Sequence, residues 1–194
     1  MRELLATAEL SVDSVAIGIR RYTSSWWRID MAYRRCIWHL LRYNQVQLME
    51  QISGWVGKTY VNNYLLPLTD RWGDQVSRLG AWSSEDYPSQ RRFYDIYVKP
   101  FLARDQKVFV IISDGLRFEA AAEFAQRLRA ANRWTAELEV MLGVLPSYTQ
   151  LGMAALLPGR QLAVDATAAT VAVDGRSATG TANRAQILSQ ACAG

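Results

Sequence analysis

The segment that decides the fold is residues 107–124, KVFVIISDGLRFEAAAEF. Its run Val108–Ile112 is apolar throughout, Asp114-Gly115 follows, and a helical pattern begins immediately afterwards. An apolar run of this length, ended by a turn and a helix, is typical of a strand buried on both faces of a parallel sheet. Ligands of such sheets bind at the carboxyl ends of the strands. Asp114 therefore lies where a functional carboxylate is expected.

Asp114 has two local interpretations. It could cap the helix that follows, because a side-chain oxygen at that place accepts hydrogen bonds from free backbone N–H groups. It could also be a hard anionic ligand for a divalent cation. The neighbouring residues do not complete a metal site, so both interpretations stay open on local grounds.

A second segment, residues 142–159 (LGVLPSYTQLGMAALLPG), places Thr149 at a predicted helix start. Thr149 could be a cap, or it could be a nucleophile if a metal ion lowers the pKa of its hydroxyl. A helix start also favours a phosphoryl group through its dipole and its free N–H groups. Pro158 would end the helix. Three small residues would let it lie close to a sheet: Gly152, Ala154 and Ala155.

Residues 24–77 predict a helical region in front of these segments. Apolar residues recur there at helical spacing: Trp26, Ile29, Tyr33, Ile37, Leu40 and Leu41. Polar residues take the other side: Arg28, Asp30, Arg34, Arg35 and Arg42. The dense tryptophans Trp26, Trp27, Trp38 and Trp55 favour a helical core, with an interface for a protein or nucleic acid as the alternative.

The polar segment Leu79–Gln90 is the best candidate boundary, so we predict a helical region over 1–90 and an α/β region over 91–194. The second region alternates strands Val108–Ile112 and Ala136–Met141 with helices. The pair Asp174-Gly175 predicts a tight hairpin turn, and a last helix is expected over about Ala182–Cys192. The helix Phe118–Ala131 is predicted to bury one face: Phe118, Ala121, Ala122, Phe124, Ala125 and Leu128.

The composition indicates a globular protein, since 50% of the 194 residues are hydrophobic and 21% are charged. No apolar run approaches the roughly 20 residues that span a bilayer, and the N-terminus lacks a secretory pattern, so we expect a cytoplasmic protein without a membrane partner. The net charge of +4 permits a polyanionic partner without predicting one. Cys36 and Cys192 lack metal-ligand spacing and favour reduced structural thiols.

Several common enzyme motifs are absent from the sequence. There is no glycine-rich dinucleotide fingerprint and no Walker A lysine loop. Leu116 stands where aspartyl-phosphate phosphatases carry a second aspartate. The single histidine, His39, lies among helix residues, where a surface or packed histidine is the more common case than a ligand or base.

Taken together, segments 107–124 and 142–159 resemble the PglZ family, the phosphatase components of BREX-type phage-defence systems, which belong to the alkaline phosphatase superfamily. The resemblance continues upstream through RYTSSWWRIDMAYR, YVNNYLLPL and RRFYDIYVKPFL, so that it covers about residues 21–158. It implies that residues 91–194 are the incomplete, N-terminal half of an alkaline-phosphatase-like α/β/α domain with a mainly parallel sheet. Segment SDGLR alone is also similar to the nucleotide pyrophosphatase/phosphodiesterase branch of the superfamily.

The resemblance implies roles for the two candidate residues. Asp114 matches a metal-binding aspartate, and Thr149 matches the nucleophile, which also lies in the metal site. The superfamily enzymes hold two divalent ions, usually zinc, and hydrolyse phosphate monoesters or diesters through a covalent phosphothreonine or its equivalent. The expected substrate is a phosphate ester, with nucleotides and nucleic acids as candidates, and the expected partners are other BREX proteins.

The sequence departs from this pattern after Thr149. The superfamily completes its site with further aspartates and histidines there, whereas this chain has only Asp165 and Asp174, of which Asp174 is expected in a turn. Family members are also far longer, which indicates an internal portion or a truncated member. We therefore expect little or no phosphatase activity from these residues alone. A non-catalytic scaffold in a defence complex is the alternative, and DNA contact by the arginine-rich helical face is a further one.

Overall fold

The computed structural model describes residues 1–42, 46–165 and 170–192, so residues 43–45 of the predicted helical region lie outside the described part. The chain forms two compact units: the first unit is residues 1–82 with 115–138, and the second is 83–114 with 139–194. The elements are α1 (Arg2–Thr7), α2 (Val15–Arg21), α3 (Trp27–Arg42), α4 (Val46–Tyr60), α5 (Leu66–Ser77), α6 (Lys99–Leu102), α7 (Phe118–Ala130), α8 (Thr149–Ala155), β1 (Leu162–Asp165), β2 (Thr170–Val173), β3 (Arg176–Ser177) and α9 (Thr181–Cys192).

Shorter turns link some of these helices. The segments Tyr22–Trp26, Val61–Leu65 and Tyr94–Val98 are single π-helical turns, and Gln90–Arg92 is a 3₁₀ turn. The mixture of helices with a sheet confirms the α/β class in its general form. In the described ranges, no helix has both the length and the apolar character that crossing a bilayer would require.

The core of the first unit lies where the helical pattern predicted it. Trp26 and Ile29 are buried together with Tyr60 and Tyr64, and Val12 from the segment before α2 completes the cluster. The pattern is only partly confirmed further along α3 and α4. Leu41 is 82% exposed, and the four clustered tryptophans divide into a buried pair, Trp26 and Trp27, and an exposed pair, Trp38 and Trp55.

Asp30 was expected on the polar side of α3 and is instead buried. Its two carboxyl oxygens accept hydrogen bonds from the phenols of Tyr22, at 2.6 Å, and of Tyr60, at 2.8 Å. The ring of Tyr60 also stacks on Tyr33 with centroids 3.9 Å apart. A buried carboxyl is tolerated here because both oxygens have partners, which periodicity alone could not show.

Helix α7 also differs from its predicted burial. Ala122 and Ala125 are buried as expected, but Phe124 is 60% exposed, whereas Glu119 and Glu123 are buried. The face of α7 that contacts α3 is therefore a face of carboxylates, because arginines of α3 approach it with opposite charge. Apolar periodicity therefore predicted the burial of Ala122 and Ala125, but it was wrong for Phe124 and did not identify the buried Glu119 and Glu123.

The second unit is built on a small sheet in the order β1-β2-β3 with antiparallel pairing. Leu162 is opposite Val173 in the first pair, and Ala172 is opposite Ser177 in the second. Residues of α8 and α9 cover one side of this sheet. The buried cluster consists of Leu151, Ala154, Leu157, Val171, Val173, Ala178 and Ile187.

The predicted mainly parallel sheet is wrong for the part of the chain that the structure describes. Val108–Ile112 and Ala136–Met141 belong to no regular element and have no ladder pairing, and Phe109 and Ile111 are 86% and 92% exposed. An extended segment becomes a strand only when a neighbour pairs with its N–H and C=O groups, and none of the described residues does so here. The parallel contact that does form is a single bridge between Ser89 and Leu142.

Local turn chemistry was predicted more successfully. Asp174 and Gly175 join β2 to β3 with φ of 48° and 76°, the positive values that a tight hairpin requires. Helix α8 ends before Pro158, as expected. Gly159 has no room for a side chain, because a Cβ there would lie 2.2 Å from Cγ1 of Val173. That close approach fixes the path from α8 into β1.

Candidate functional site

Asp114 lies in a turn at the end of the exposed apolar segment. The turn continues into Gly115, whose φ of +69° is the left-handed conformation that glycine adopts at no steric cost. Helix α7 then begins at Phe118 with Arg117 in the N-cap position. The N-cap of α7 is therefore not Asp114, and the capping interpretation of this carboxylate does not describe the structure.

Thr149 is the first residue of α8, one position later than a cap. Tyr148 occupies the N-cap in an extended conformation, and its side chain makes no capping hydrogen bond. The hydroxyl of Thr149 is directed elsewhere: Oγ1 donates to Oδ2 of Asp114 at 3.1 Å. The structure thus brings together the two residues that the sequence singled out, although they are 35 positions apart.

Both members of this pair are exposed. An exposed hydrogen bond of this length contributes little to stability, because water can replace either partner. Its chemical interest lies in the oxygens themselves, since a carboxylate and an alkoxide are hard donors that suit divalent cations. Thr149 can serve as a nucleophile with Asp114 as the acceptor of its hydrogen bond, or the two residues can each supply one oxygen ligand to a cation.

Gln90 holds the segment that carries Thr149, and sequence reasoning missed it. Its backbone N–H donates to the carbonyl of Leu142 at 2.8 Å, and Leu142 donates in return to Pro88 at 2.8 Å. Its side chain donates from Nε2 to the carbonyl of Gly152 at 3.0 Å and accepts from the N–H of Val144 at 3.2 Å. The side chain of Gln90 therefore binds the backbone both before α8, at Val144, and within α8, at Gly152. The sequence placed Gln90 only at the edge of a polar boundary.

Asp174 is used for structure, as the sequence predicted for a turn residue. Its carboxylate accepts from the backbone N–H groups of Gln161, at 2.7 Å, and Arg160, at 3.0 Å. The N–H of Gln161 lowers the pKa of Asp174 below its usual range. These bonds join the β2–β3 turn to the start of β1, and they leave Asp174 engaged away from any metal role.

The residues present supply only part of a divalent metal site. Across the described ranges, no three side chains of His, Cys, Asp or Glu come together in a group that could hold an ion. Asp114 and Thr149 offer two oxygens, whereas a zinc ion in a protein takes about four ligands. The pair therefore fits a fragment of such a site and does not complete it.

The chain is similar to known proteins over most of its length. The model of the BREX system PglZ alkaline phosphatase-like domain matches residues 93–194. The alkaline phosphatase-like protein BrxZ of Escherichia coli O9:H4 (strain HS) is 38% identical over an aligned length of 177 residues, and the alignment covers 87% of this chain. The alkaline phosphatase-like protein PglZ of Bacillus cereus (strain H3081.97) is 35% identical over an aligned length of 176 residues, and the alignment covers 88% of this chain.

In both relatives the match covers 20% of the longer protein. The chain thus spans about one fifth of the length of the curated relatives it matches. No solved structure matches it significantly. The resemblance drawn from segments 107–124 and 142–159 is confirmed by the family model and by both relatives.

Proposed function

This chain belongs to the PglZ family, and from that premise we propose that Asp114 and Thr149 form part of a metal-dependent phosphoester hydrolase site. Thr149 is the nucleophile in this proposal, and Asp114 is a ligand of a divalent ion. The observation that supports it most is the 3.1 Å contact between Thr149 Oγ1 and Asp114 Oδ2. Two oxygens this close can share one cation.

The chemistry assigned to Thr149 is an in-line displacement. Its Oγ1 forms a bond to phosphorus while the bond from phosphorus to the leaving oxygen breaks; the hydroxyl proton passes to solvent water, and the leaving oxygen takes up a proton from solvent. Water then cleaves the phosphothreonine, which releases phosphate or a phosphomonoester and restores the hydroxyl. Divalent ions such as zinc, when bound, would lower the pKa of the hydroxyl and offset the charge of the phosphoryl group.

Asp114 and Gln90 have distinct tasks in this scheme. Asp114 Oδ2 already accepts from the Thr149 hydroxyl, so it orients Oγ1 and supplies a negative oxygen for a cation. Gln90 touches neither a substrate nor an ion and acts by positioning, because it fixes the backbone of Gly152 and Val144 on either side of Thr149. Preorganisation of this kind matters because small displacements of a nucleophile are costly in rate.

The non-catalytic scaffold is the competing function, and one observation favours it. The described residues contain no group of three metal-ligating side chains, so nothing in them completes a two-metal site. Membership of a BREX-associated family indicates other BREX proteins as partners under either function.

Two measurements test the enzyme proposal. Calorimetric titration of zinc into the 194-residue chain should show no tight binding of two ions, and phosphodiester hydrolysis by the chain should be at background. Zinc-dependent turnover by the chain alone, lost in Thr149→Ala, would show that the site is complete and our ligand count wrong.

The second measurement supplies the missing context. A chimera in which this chain replaces the matched 177 residues of the E. coli relative should hydrolyse a phosphodiester with added zinc. Thr149→Val and Asp114→Asn should each remove that activity, while Thr149→Ser should retain part of it. An inactive chimera together with an inactive E. coli relative would favour the scaffold. If the E. coli relative is active and the chimera keeps its activity after Thr149→Val, the assignment of Thr149 as the nucleophile is refuted.

A further inference from the structure

The first unit holds a cluster of ionic side chains where α3 packs on α7. Arg34 donates to Oε2 of Glu123 at 2.5 Å, and Arg35 donates to Oε1 at 2.9 Å. Arg127, one turn along α7, donates to the same Oε1 at 2.7 Å. Three guanidinium groups therefore converge on one carboxylate, which remains ionised over the ordinary pH range because they lower the pKa of Glu123 to about 2.

The neighbouring carboxylate of the cluster is neutralised separately. Glu119 is fully buried, and its Oε1 lies 3.2 Å from Nε of Arg117 and 3.9 Å from Nε of Arg34. Both Glu119 oxygens and that Nε of Arg34 make no hydrogen bond within the described structure. Arg117 is therefore the nearest counter-charge of Glu119, so Glu123 is the carboxylate that Arg34, Arg35 and Arg127 share.

A cavity of about 430 Å³ opens beside this cluster. Its lining consists of Arg34, Arg35, Trp38, His39, Glu123 and Arg127. The two outer arginines reach solvent, since the side chains of Arg35 and Arg127 are 51% and 76% exposed. We call this feature the arginine–tryptophan pocket.

The pocket has hydrogen-bond donors to spare. A guanidinium group carries five N–H donors in a rigid fork, and Arg35 and Arg127 each direct one of them to Glu123. The carboxylate of Glu123 is 12% exposed and already surrounded by three cations, so it repels an entering anion only weakly. Three arginines against one carboxylate give the lining a net positive charge, which suits the bidentate recognition of phosphate oxygens.

Trp38 adds a flat apolar wall to these donors. It is 51% exposed, far from the burial that its size normally favours, and Arg42 lies over its ring with Cζ 4.5 Å from the centroid. Exposed aromatic rings beside arginines are the means by which proteins hold single-stranded nucleic acids, with bases stacked on rings and phosphates on cations. The volume also lies in the range of small-molecule sites.

We propose that the arginine–tryptophan pocket binds one nucleotide unit, free or within a single strand, with its phosphate on Arg35 and Arg127 and its base against Trp38. This binding is independent of the hydrolase site proposed above and needs no metal ion. It gives a defined location to the DNA contact that the arginine-rich helical face suggested.

The experiment is fluorescence titration of the full chain with three probes: inorganic phosphate, AMP and an oligothymidylate of about 12 nucleotides. Arg35→Gln with Arg127→Gln should weaken binding of AMP and of the oligonucleotide at least tenfold, roughly the loss expected for two charge-assisted contacts. The matched control is Arg28→Gln with Arg133→Gln, which makes the same charge change at exposed positions outside the pocket. Its loss should stay within about threefold.

Tryptophan variants test the base contact. Trp38→Leu should weaken AMP about tenfold and leave inorganic phosphate unchanged, because stacking on one ring contributes at roughly that level. Trp55→Leu is the control, since Trp55 is 54% exposed in the same unit and outside the pocket lining. Arg127→Gln alone keeps the test valid if the double variant does not fold, because that side chain is mostly in solvent.

Each probe has an outcome that would overturn the proposal. No binding of AMP or the oligonucleotide at about 50 mM salt, where such contacts are strongest, would refute it. If the double variant in the pocket and the control double variant lose affinity equally, the binding is non-specific attraction by net charge. If inorganic phosphate binds as tightly as AMP and Trp38→Leu does not change AMP binding, the base makes no contact with Trp38. If a glutamate-rich peptide competes as well as AMP, the pocket does not select a nucleotide.

Discussion

Two aspartates in this molecule, Asp30 and Asp114, accept hydrogen bonds from hydroxyl groups in opposite surroundings. In the first unit, the carboxyl group of Asp30 is buried and held by two tyrosine hydroxyls, and burial raises the pKa of both Tyr22 and Tyr60 well above the usual value. In the second unit, Asp114 and Thr149 are exposed and hydrogen-bonded to each other. The first arrangement stabilises a fold, whereas the second leaves reactive oxygens accessible.

This difference separates structural from functional polar groups by their cost. A buried polar group needs a partner, because removing that partner leaves an unpaired donor or acceptor in the interior, and this destabilises the fold. An exposed pair carries no such penalty, so its stability contribution is small and its presence needs another explanation. Substitutions at Asp30 should therefore change stability, whereas substitutions at Asp114 and Thr149 should leave it nearly unchanged.

Asp30→Ala should destabilise the protein the most. Removing the carboxyl leaves the hydroxyls of Tyr22 and Tyr60 without their acceptor in a buried place, which should lower the free energy of unfolding by roughly 3 kcal/mol. Urea unfolding followed by fluorescence measures this. Asp70→Ala, at an exposed position of α5, should change it by less than about 0.5 kcal/mol. Equal values for the two variants would show that the tyrosine cluster is not structural.

Glu123→Gln should produce an effect that depends on pH. The arginines around it lower the pKa of Glu123 to about 2, below its value of roughly 4.3 in an unfolded chain. Its stabilisation is therefore complete above about pH 4.3 and is lost as the pH falls towards 2. We expect wild type to exceed the variant by about 1–2 kcal/mol at pH 7, after allowance for solvent around the arginines.

The pH series also contains its own control. The difference between wild type and Glu123→Gln should narrow progressively between pH 4.3 and 2, in urea titrations at each pH. Glu137→Gln, at an exposed position in the same unit, should differ little from wild type throughout. A difference that stays constant down to pH 2 would contradict the ion cluster as its source.

Gln90→Ala should have an intermediate effect on the second unit. It removes two half-buried side-chain hydrogen bonds, to Gly152 and from Val144, and should cost about 1 kcal/mol of unfolding free energy. Gln106→Ala is a suitable control, because Gln106 is exposed in the same unit. In the chimera, Gln90→Ala should lower the rate of phosphodiester hydrolysis without abolishing it. Unchanged rate and stability would remove Gln90 as a positioning residue.

The sequence predicted local features of this fold better than its pairings. The Asp174-Gly175 turn, the end of α8 and the buried Trp26 and Ile29 all follow from short-range patterns, and the structure has them. The strand assigned to Val108–Ile112 is wrong because pairing depends on neighbours, and an apolar run does not identify its partner. Phe124 was misplaced because charge, not hydrophobicity, decides which face of α7 is buried.

For the candidate site, the sequence identified the residues and the structure added their contact. Asp114 and Thr149 were selected from two separate segments, and the 3.1 Å hydrogen bond between them could not be read from either one. The contacts of Gln90 and of the arginine–tryptophan pocket could not be predicted from the sequence, because both depend on residues that are 50 or more positions apart. Such contacts carry no periodic signal.

Thr149→Val and Asp114→Asn should have the smallest effects on stability and the largest on function. Thr149→Val removes one exposed hydrogen bond, whereas Asp114→Asn keeps a side-chain oxygen that can still accept it, so the free energy of unfolding should change by less than about 0.5 kcal/mol in both variants. In the chimera, phosphodiester hydrolysis should fall by at least about 1,000-fold, the order expected when a nucleophile is removed. Thr181→Val is a matched control, because Thr181 is likewise the first residue of a helix, α9.

Comparison with Asp30→Ala separates a structural role of the Thr149–Asp114 contact from a chemical one. If Thr149→Val destabilised the protein as much as Asp30→Ala, the Thr149–Asp114 contact would be structural, and a loss of activity would say nothing about chemistry. If stability is kept and hydrolysis is lost in Thr149→Val but not in Thr181→Val, the two exposed oxygens act in the reaction itself. Because Thr149→Ser restores a hydroxyl at the same helix start, partial recovery there would assign the activity to Oγ1 and not to the shape of the side chain.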